Sequence, residues 1–134
     1  MTTFTTAVIG QTEKALNAIL DRLLAGRNIT EPQWVALTLT VMGGDADKIA
    51  GALKVDGDTA RQRLAELADA GLVRLDAEGA ATVTEAGRAQ WTEVRAAIGP
   101  ITERLWGDLP PADLDVTGRV LSTILDRANQ YLAA

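Results

Sequence analysis

Polar side chains that can read the edges of DNA bases lie close together at positions 59–63. Arg61 and Arg63 can each donate two hydrogen bonds to guanine, and Gln62 can pair with adenine. Thr59 can bind a phosphate or contact the methyl group of thymine. These four residues are candidate DNA contacts, provided that one structural element presents them on the same side.

A helix predicted over residues 58–71 would present this run. Its apolar positions recur at helical spacing and form one face; they are Ala60, Leu64, Leu67, Ala68 and Gly71. Asp58 is the predicted N-cap, because its carboxylate can accept hydrogen bonds from free backbone N–H groups. The four candidate residues lie outside the apolar face near the N-terminus of the helix, where contacts to the major groove are usually made.

The elements on either side complete a winged helix-turn-helix pattern. A short helix capped by Asp45 is predicted over residues 46–53, and the turn 54–57 joins it to the helix 58–71. Two strands follow at once, at 72–75 and 81–84, around a turn that ends in glycine. Two helices joined by a short turn and followed by a hairpin are typical of a module that places its second helix in the major groove.

Two further helices are predicted before this module. The first ends at Gly26, which we expect at the C′ position. The second begins with a capping box, in which Thr30 and Gln33 exchange hydrogen bonds between side chain and backbone. It ends at Gly43-Gly44.

Two more helices are predicted after the hairpin. Thr84 caps a helix over about 85–98, which we expect Gly99 and Pro100 to bend or break. The last helix begins near Pro110. The predicted fold is mainly α with a small β-hairpin, in the order α-α-α-α-β-β-α-α, and the whole chain is expected to form a single domain.

The charge of the chain limits how it can bind DNA. The 134 residues include 13 basic and 18 acidic ones, for a formal net charge of −5. The whole surface therefore cannot grip a phosphate backbone. The candidate phosphate contacts are the basic residues beside the helix 58–71, namely Lys48, Lys54, Arg74 and Arg88. We expect binding that is local and sensitive to salt.

Composition excludes several classes of function. The chain has no cysteine and no histidine, which removes thiol nucleophiles, imidazole bases and Cys/His metal sites. No phosphate-binding loop or nucleophile motif occurs. We expect no enzyme activity, no cofactor and no metal. No targeting signal or membrane-spanning run is visible, so the sequence predicts a cytoplasmic protein without a membrane partner.

The last helix has two apolar stripes. One steps by four and three residues in the manner of a coiled-coil seam, through Leu114, Gly118, Leu121, Leu125, Ala128 and Leu132. The other consists of Val116, Val120, Ile124 and Tyr131. One buried face would satisfy a monomer, so two stripes favour a homodimer over that alternative. The predicted interface residues are Leu16, Leu20, Leu114, Leu121, Leu125 and Leu132.

The chain resembles the MarR family, the multiple-antibiotic-resistance-type regulators. The similarity rests on the segment TEPQWVAL at 30–37, on the stretch from Ile49 to Val73, on VTEAGR at 83–88, and on the long terminal helices. It implies a homodimeric, ligand-responsive transcription factor that binds a near-palindromic operator with one helix per half-site. The implied parts are a DNA-binding lobe at about 30–88 and dimerisation helices at about 5–26 and 89–134.

The resemblance also implies an effector site between the dimerisation helices and the DNA-binding lobe. Trp34 and Trp91 fall on its walls, and an indole offers apolar area with one N–H donor. Such a site suits a small apolar or aromatic effector. The alternative for both tryptophans is plain core packing.

The predicted wing departs from the family pattern. It reads Asp76-Ala77-Glu78-Gly79-Ala80, which is short and acidic where family wings contain arginine. The leading hypothesis is a ligand-responsive repressor that binds DNA through the helix 58–71. The main alternative is a protein-interaction module, such as an antirepressor or co-regulator, that has lost strong DNA binding. In that case Arg61 and Arg63 form a solvated face paired with Glu66 or nearby aspartates.

Overall fold

The computed structural model describes residues 3–134 and has the predicted order of elements. The helices are α1 (Thr6–Ala25), α2 (Glu31–Val41), α3 (Ala46–Leu53), α4 (Gly57–Asp69), α5 (Glu85–Trp106) and α6 (Pro111–Ala133). The strands are β1 (Val73–Leu75) and β2 (Ala81–Val83). The mainly α class with a small hairpin is confirmed. The chain divides into two compact units, of which the first ends at Ile98 and the second comprises Gly99–Ala134.

The core of the first unit is aliphatic. Its α2 helix packs against α1, α3, α4 and β2. The largest fully buried side chains come from five helices and are Leu24, Leu37, Ile49, Leu67 and Val94. Burial of apolar surface stabilises the folded state by about 25 cal/mol for each Å² removed from water. This burial holds α3 and α4 against α2.

Side-chain caps begin α2 and α3 as predicted. Gln33 N donates to Thr30 Oγ1 over 3.3 Å, and Thr30 N donates to Gln33 Oε1 over 3.1 Å. The capping box is therefore confirmed. Lys48 N donates to Asp45 Oδ1 over 3.0 Å at the start of α3. Each of these bonds satisfies a backbone N–H that has no partner within its helix.

The start of α4 differs from the predicted one. Asp56 is the N-cap and accepts a 2.7 Å hydrogen bond from Thr59 N, whereas Asp58 lies within the first turn. Asp56 has the extended backbone that an N-cap requires, with φ −76° and ψ 169°. The helix also ends early, at Asp69. The predicted cap at Asp58 is therefore wrong by two residues, and the predicted bounds 58–71 are wrong by one residue at the start and two at the end.

Two other helix ends differ in part from the prediction. The α1 helix does end at Gly26, but Gly26 is its C-cap rather than the C′ residue and keeps a right-handed φ of −73°; the left-handed residue is Asn28 at φ +56°. The α5 helix does not break at Pro100 but continues to Trp106. Proline removes one backbone hydrogen bond from a helix, and its ring crowds the carbonyl one turn earlier. Gly99 lacks the Cβ that the ring would otherwise meet, which relieves one part of this crowding.

The hairpin packs closely on the start of α5. The antiparallel register pairs Val73 with Val83 and Leu75 with Ala81. Thr84 begins α5 as predicted, since its hydroxyl accepts a 3.0 Å hydrogen bond from Gly87 N. A Cβ on Gly87 would overlap the carbonyl oxygen of Leu72 and touch Val83. Only glycine at this position allows the helix to lie against the hairpin.

The second unit exposes its long helix. None of the 23 residues of α6 is buried in the chain. Between Thr3 and Ala134, no helix is both long and apolar enough to cross a membrane.

Candidate nucleic-acid interface

The α4 helix separates a buried face from an exposed one. Ala60, Leu64 and Leu67 are buried, and the helix packs against α2, α3 and β1. The exposed residues of α4 lie on the opposite side; they are Asp58, Arg61, Gln62, Ala65 and Asp69. Of the four residues at 59–63 predicted to contact DNA, Arg61 and Gln62 therefore lie on the exposed face, and Thr59 and Arg63 are half-buried at its margins.

The Arg61 guanidinium lies over the first turn of α4. Its NH2 group donates to Asp58 Oδ1 over 2.5 Å, one helical turn earlier. The same guanidinium borders Gly57, where its NH1 atom would lie 3.4 Å from a Cβ. Both side chains are exposed, at 59% for Arg61 and 92% for Asp58. The pair therefore remains accessible to a ligand that approaches the N-terminal end of the helix.

Arg63 has a different environment. Only 23% of its side chain is exposed, and its Nε atom lies 3.0 Å from Glu66 Oε1. The Nε–H makes no hydrogen bond, so the contact with Glu66 is an ion pair only. Gln33 Nε2 donates to the same Glu66 oxygen over 3.0 Å. Glu66 thus joins the capping box of α2 to the side of α4.

The cap of α4 is an ionised carboxylate. Hydrogen bonds from the side chain and the backbone of Thr59 lower the pKa of Asp56 below its ordinary value, and the positive charge of Arg61 lowers it further. Thr59 is therefore engaged in capping the helix. A contact from Thr59 to DNA therefore requires its hydroxyl to bond to both Asp56 and the DNA.

The flanking basic residues are exposed. Lys54 ends α3 in the left-handed region at φ +57°, and its Nζ donates to Gly51 O over 2.9 Å. Lys48, Arg74 and Arg88 form no ion pair with any residue in the described range 3–134. Their charges remain available to phosphate groups.

The turn of the wing is closed by hydrogen bonds and is acidic. Asp76 Oδ1 accepts 2.9 Å hydrogen bonds from both Glu78 N and Ala80 N. Gly79 adopts φ +84°, a conformation that favours glycine. Every residue from 76 to 80 is exposed. The turn therefore offers carboxylates, and no basic side chain, to its surroundings.

The two candidate ligand-binding tryptophans differ in burial. Trp34 is 7% exposed and belongs to the hydrophobic core of the first unit. Trp91 is half-buried, donates its indole N–H to Thr38 Oγ1 over 3.2 Å, and lies 5.4 Å from the Arg95 guanidinium. Such a distance permits a cation–π contact. Core packing accounts for the environment of Trp34, whereas Trp91 packs only partly against the same core and remains half-buried.

The candidate interface leucines are mostly exposed in the isolated chain. Leu16, Leu121, Leu125 and Leu132 are 38%, 41%, 56% and 68% exposed. Leu114 is half-buried, and Leu20 packs partly against the core of the first unit. Leu20 therefore already has a partner within the chain.

Three residues beyond the predicted set shape this region. Asp58 pairs with Arg61, Glu66 links α4 to Gln33, and Gly87 permits the close approach of α5 to the hairpin. The spacing of three residues between Asp58 and Arg61 is visible in the sequence and is typical of a helical ion pair. The roles of Glu66 and Gly87 depend on contacts between elements, which no local spacing reveals.

Solved structures with the same arrangement are numerous. A MarR family transcriptional regulator from Silicibacter pomeroyi is 19% identical over 94% of this chain and 90% of that one, with a TM-score of 0.81. MarR from E. coli in its reduced form is 17% identical over 93% and 96%, with a TM-score of 0.73. CouR from Rhodococcus jostii, bound to p-coumaroyl-CoA, is 17% identical over 87% and 88%, with a TM-score of 0.78.

The chain has the MarR-type winged-helix fold. No protein-family profile matches the sequence, and no curated protein matches it either. At identities below 20%, these three structures establish the fold alone. Within the MarR-type fold, α3 and α4 form the helix-turn-helix and β1 and β2 form the wing.

Proposed function

We propose that this protein is a homodimeric transcriptional regulator that binds DNA through α4. The observation that supports this most directly is the division of α4 into two faces. Its apolar face is buried against the first unit, and its exposed face offers Arg61 and Gln62 near the N-terminus. In a helix-turn-helix, this end of the second helix meets the base edges of the major groove.

The flanking cations add the positioning contacts. Lys48, Arg74 and Arg88 are exposed and unpaired among the described residues, so each can neutralise a phosphate. The wing turn has no basic side chain to place in the minor groove. The proposed DNA binding therefore depends on α3, α4 and their immediate neighbours. Binding through few cations should still weaken as the salt concentration rises, with a slope set by the number of phosphates contacted.

Homodimerisation is proposed from α6. A helix with exposed apolar residues such as Leu121, Leu125 and Leu132 is unfavourable in water. A second copy of the same helix offers a matching apolar face across a two-fold axis. Such a dimer would present two α4 helices, which fits a near-palindromic operator.

A small apolar or aromatic effector is also part of the proposal, with repression as the basal activity. Support comes from CouR, a structure of the same fold, which is bound to p-coumaroyl-CoA. Trp91 is the better reporter of the two tryptophans because it is half-buried and Trp34 is in the core. Quenching of tryptophan fluorescence by planar apolar compounds, in wild type and in Trp91→Phe, tests the site.

Salt-titrated binding to genomic fragments tests DNA recognition. Wild type should select a near-palindromic site and release it steeply as salt rises. The double variant Arg61→Ala, Arg63→Ala should lose that site, whereas Arg104→Ala, which removes an exposed arginine of α5 in the second unit, should keep it. A wild-type protein that retains no fragment at low salt contradicts DNA binding.

An interaction module is the second candidate, and the ion pairs of α4 favour it. Arg61 pairs with Asp58 and Arg63 with Glu66, while the wing turn is acidic. Such a surface would suit a basic protein partner. Absence of DNA binding together with salt-sensitive capture of a basic protein would favour this function over the first.

A further inference from the structure

We propose that Arg61 is the guanine-reading residue of this protein and that Asp58 is the positioning residue that aims it. The inference rests on the proposed DNA-binding function and assigns a base preference to that same site. It also separates the two neighbouring arginines of α4, which sequence alone treats as equivalent.

The first step is the choice between Arg61 and Arg63. The Arg61 side chain is 59% exposed at the N-terminal end of the exposed face. Arg63 is 23% exposed and faces Glu66, which is also bonded to Gln33 of α2. Withdrawing Arg63 toward a base would leave Glu66 without its ion pair. Arg61 can reach a base edge without disturbing a contact between helices.

The second step is the orientation of the guanidinium. A guanidinium has five N–H donors in a planar fork. Asp58 Oδ1 engages the NH2 group of Arg61, which leaves the remaining donors for another acceptor. Guanine presents two acceptors, N7 and O6, that match two parallel donors. One carboxylate can therefore hold the group while the rest of the fork reads a base.

The third step is the space at the start of the helix. Arg61 lies over Gly57, and even a Cβ at that position would only be in van der Waals contact with the guanidinium, at 3.4 Å from its NH1 atom. The Asp56 cap and Asp58 place two carboxylates in this first turn. Their negative charge disfavours a phosphate close to Arg61, whereas guanine N7 and O6 are uncharged acceptors that two carboxylates repel far less.

Selection of binding sites from a randomised DNA library tests the inference. Wild type should prefer guanine at one position of each half-site, and Arg61→Ala should reduce that preference by about 5- to 150-fold. Asp58→Ala should reduce it by about two- to fivefold, on the scale of an exposed ion pair. Total affinity of Asp58→Ala should stay level or rise, because one negative charge is removed from the interface.

Two matched variants test whether Asp58 orients the Arg61 guanidinium or only adds negative charge to the interface. Asp69→Ala removes a carboxylate from the same exposed face of α4, but that carboxylate pairs with no arginine among the described residues. It should change affinity without changing the guanine preference. Asp58→Glu, which can still reach Arg61, should restore much of the preference that Asp58→Ala loses.

The outcomes distinguish this inference from the proposed function. Wild type that binds no DNA at low salt overturns both. Wild type that selects a site overturns the inference alone if Asp58→Ala keeps the full guanine preference, or if Arg61→Ala keeps it. Equal losses of preference in Asp58→Ala and Asp69→Ala also overturn it.

Discussion

The helices α4 and α6 are both amphipathic, but only α4 has its apolar face buried within the chain. In α4, Ala60, Leu64 and Leu67 are buried within the first unit. In α6, which is ten residues longer, no residue is buried. The polar face of α4 is consequently available for a ligand, whereas in α6 the apolar face itself remains exposed.

This contrast teaches what an apolar stripe signifies. A stripe predicts that some surface will cover a helix, because apolar area is driven out of water. It does not say whether the covering surface belongs to the same chain. The first unit covers α4 with α2, α3 and β1. The exposed leucines of α6 are the reason for proposing a second copy of the chain.

The largest expected effect is the loss of the dimer in Leu125→Glu. In a symmetric dimer the substitution places one carboxylate from each copy in the apolar interface. Each carboxylate should weaken the free energy of association by about 2 kcal/mol or more. Light scattering should detect monomer or aggregate in place of dimer. Ser122→Glu, at an exposed polar position of α6 outside both apolar stripes, is the control and should leave the dimer intact. An unchanged dimer in Leu125→Glu would refute the proposed interface.

The second effect compares a buried leucine with an exposed one. Leu67 of α4 is 1% exposed, so Leu67→Ala should lower the free energy of unfolding by about 2–5 kcal/mol. Leu132 of α6 is 68% exposed, and Leu132→Ala should change it by less than about 0.5 kcal/mol in the dissociated chain. Urea unfolding at low, fixed protein concentration gives both values. Similar losses in the two variants would break the contrast between α4 and α6.

The third effect concerns the contact between the hairpin and α5. Gly87→Ala places a methyl group on the carbonyl of Leu72, so we expect a loss of about 1–3 kcal/mol from forced backbone movement. Gly51→Ala in α3 meets no atom within 4 Å and should stabilise the helix by about 0.5–1 kcal/mol. Thermal unfolding compares the two. A Gly87→Ala protein as stable as wild type would mean that the close approach is not required.

The smallest effect depends on pH and belongs to the first unit. Burial raises the pKa of Glu31 above its ordinary value, and the negative charges of Asp21 and Glu13 raise it further. The folded state therefore holds the Glu31 proton more tightly than the unfolded state, and this contribution to stability is lost as the pH rises from the ordinary pKa of a glutamate through the raised pKa of the folded state. In Glu31→Gln, the free energy of unfolding should decrease less as the pH rises, as measured by urea unfolding at several pH values. Glu78→Gln, in the exposed wing turn, should leave the decrease unchanged.

Local chemistry made much of the fold predictable. The capping box at Thr30 and Gln33, the cap at Asp45 and the cap at Thr84 are each confirmed. All three depend on residues within four positions of one another, so their geometry follows from local sequence. The hairpin was also predicted to within a residue at each end.

The incorrect predictions concern positions where two local choices were nearly equivalent. Asp56 and Asp58 can both cap a helix, and the backbone conformation at Asp56 decided between them. Gly99 and Pro100 are typical helix breakers, yet α5 continues through both. A local preference of this kind is worth a few kcal/mol at most, and the surrounding structure can override it.

The sequence by itself determined the order of the elements, the polar run at 59–63 and the apolar stripes, because each depends on residue type and short spacing. Only the tertiary structure distinguished Arg61 from Arg63, since the difference arises from Glu66 and Gln33, which lie 33 residues apart in the chain and 3.0 Å apart in space. It also decided that α4 is covered within the chain and that α6 is not. Burial depends on what packs against a helix, and a single segment of sequence contains no information about its neighbours.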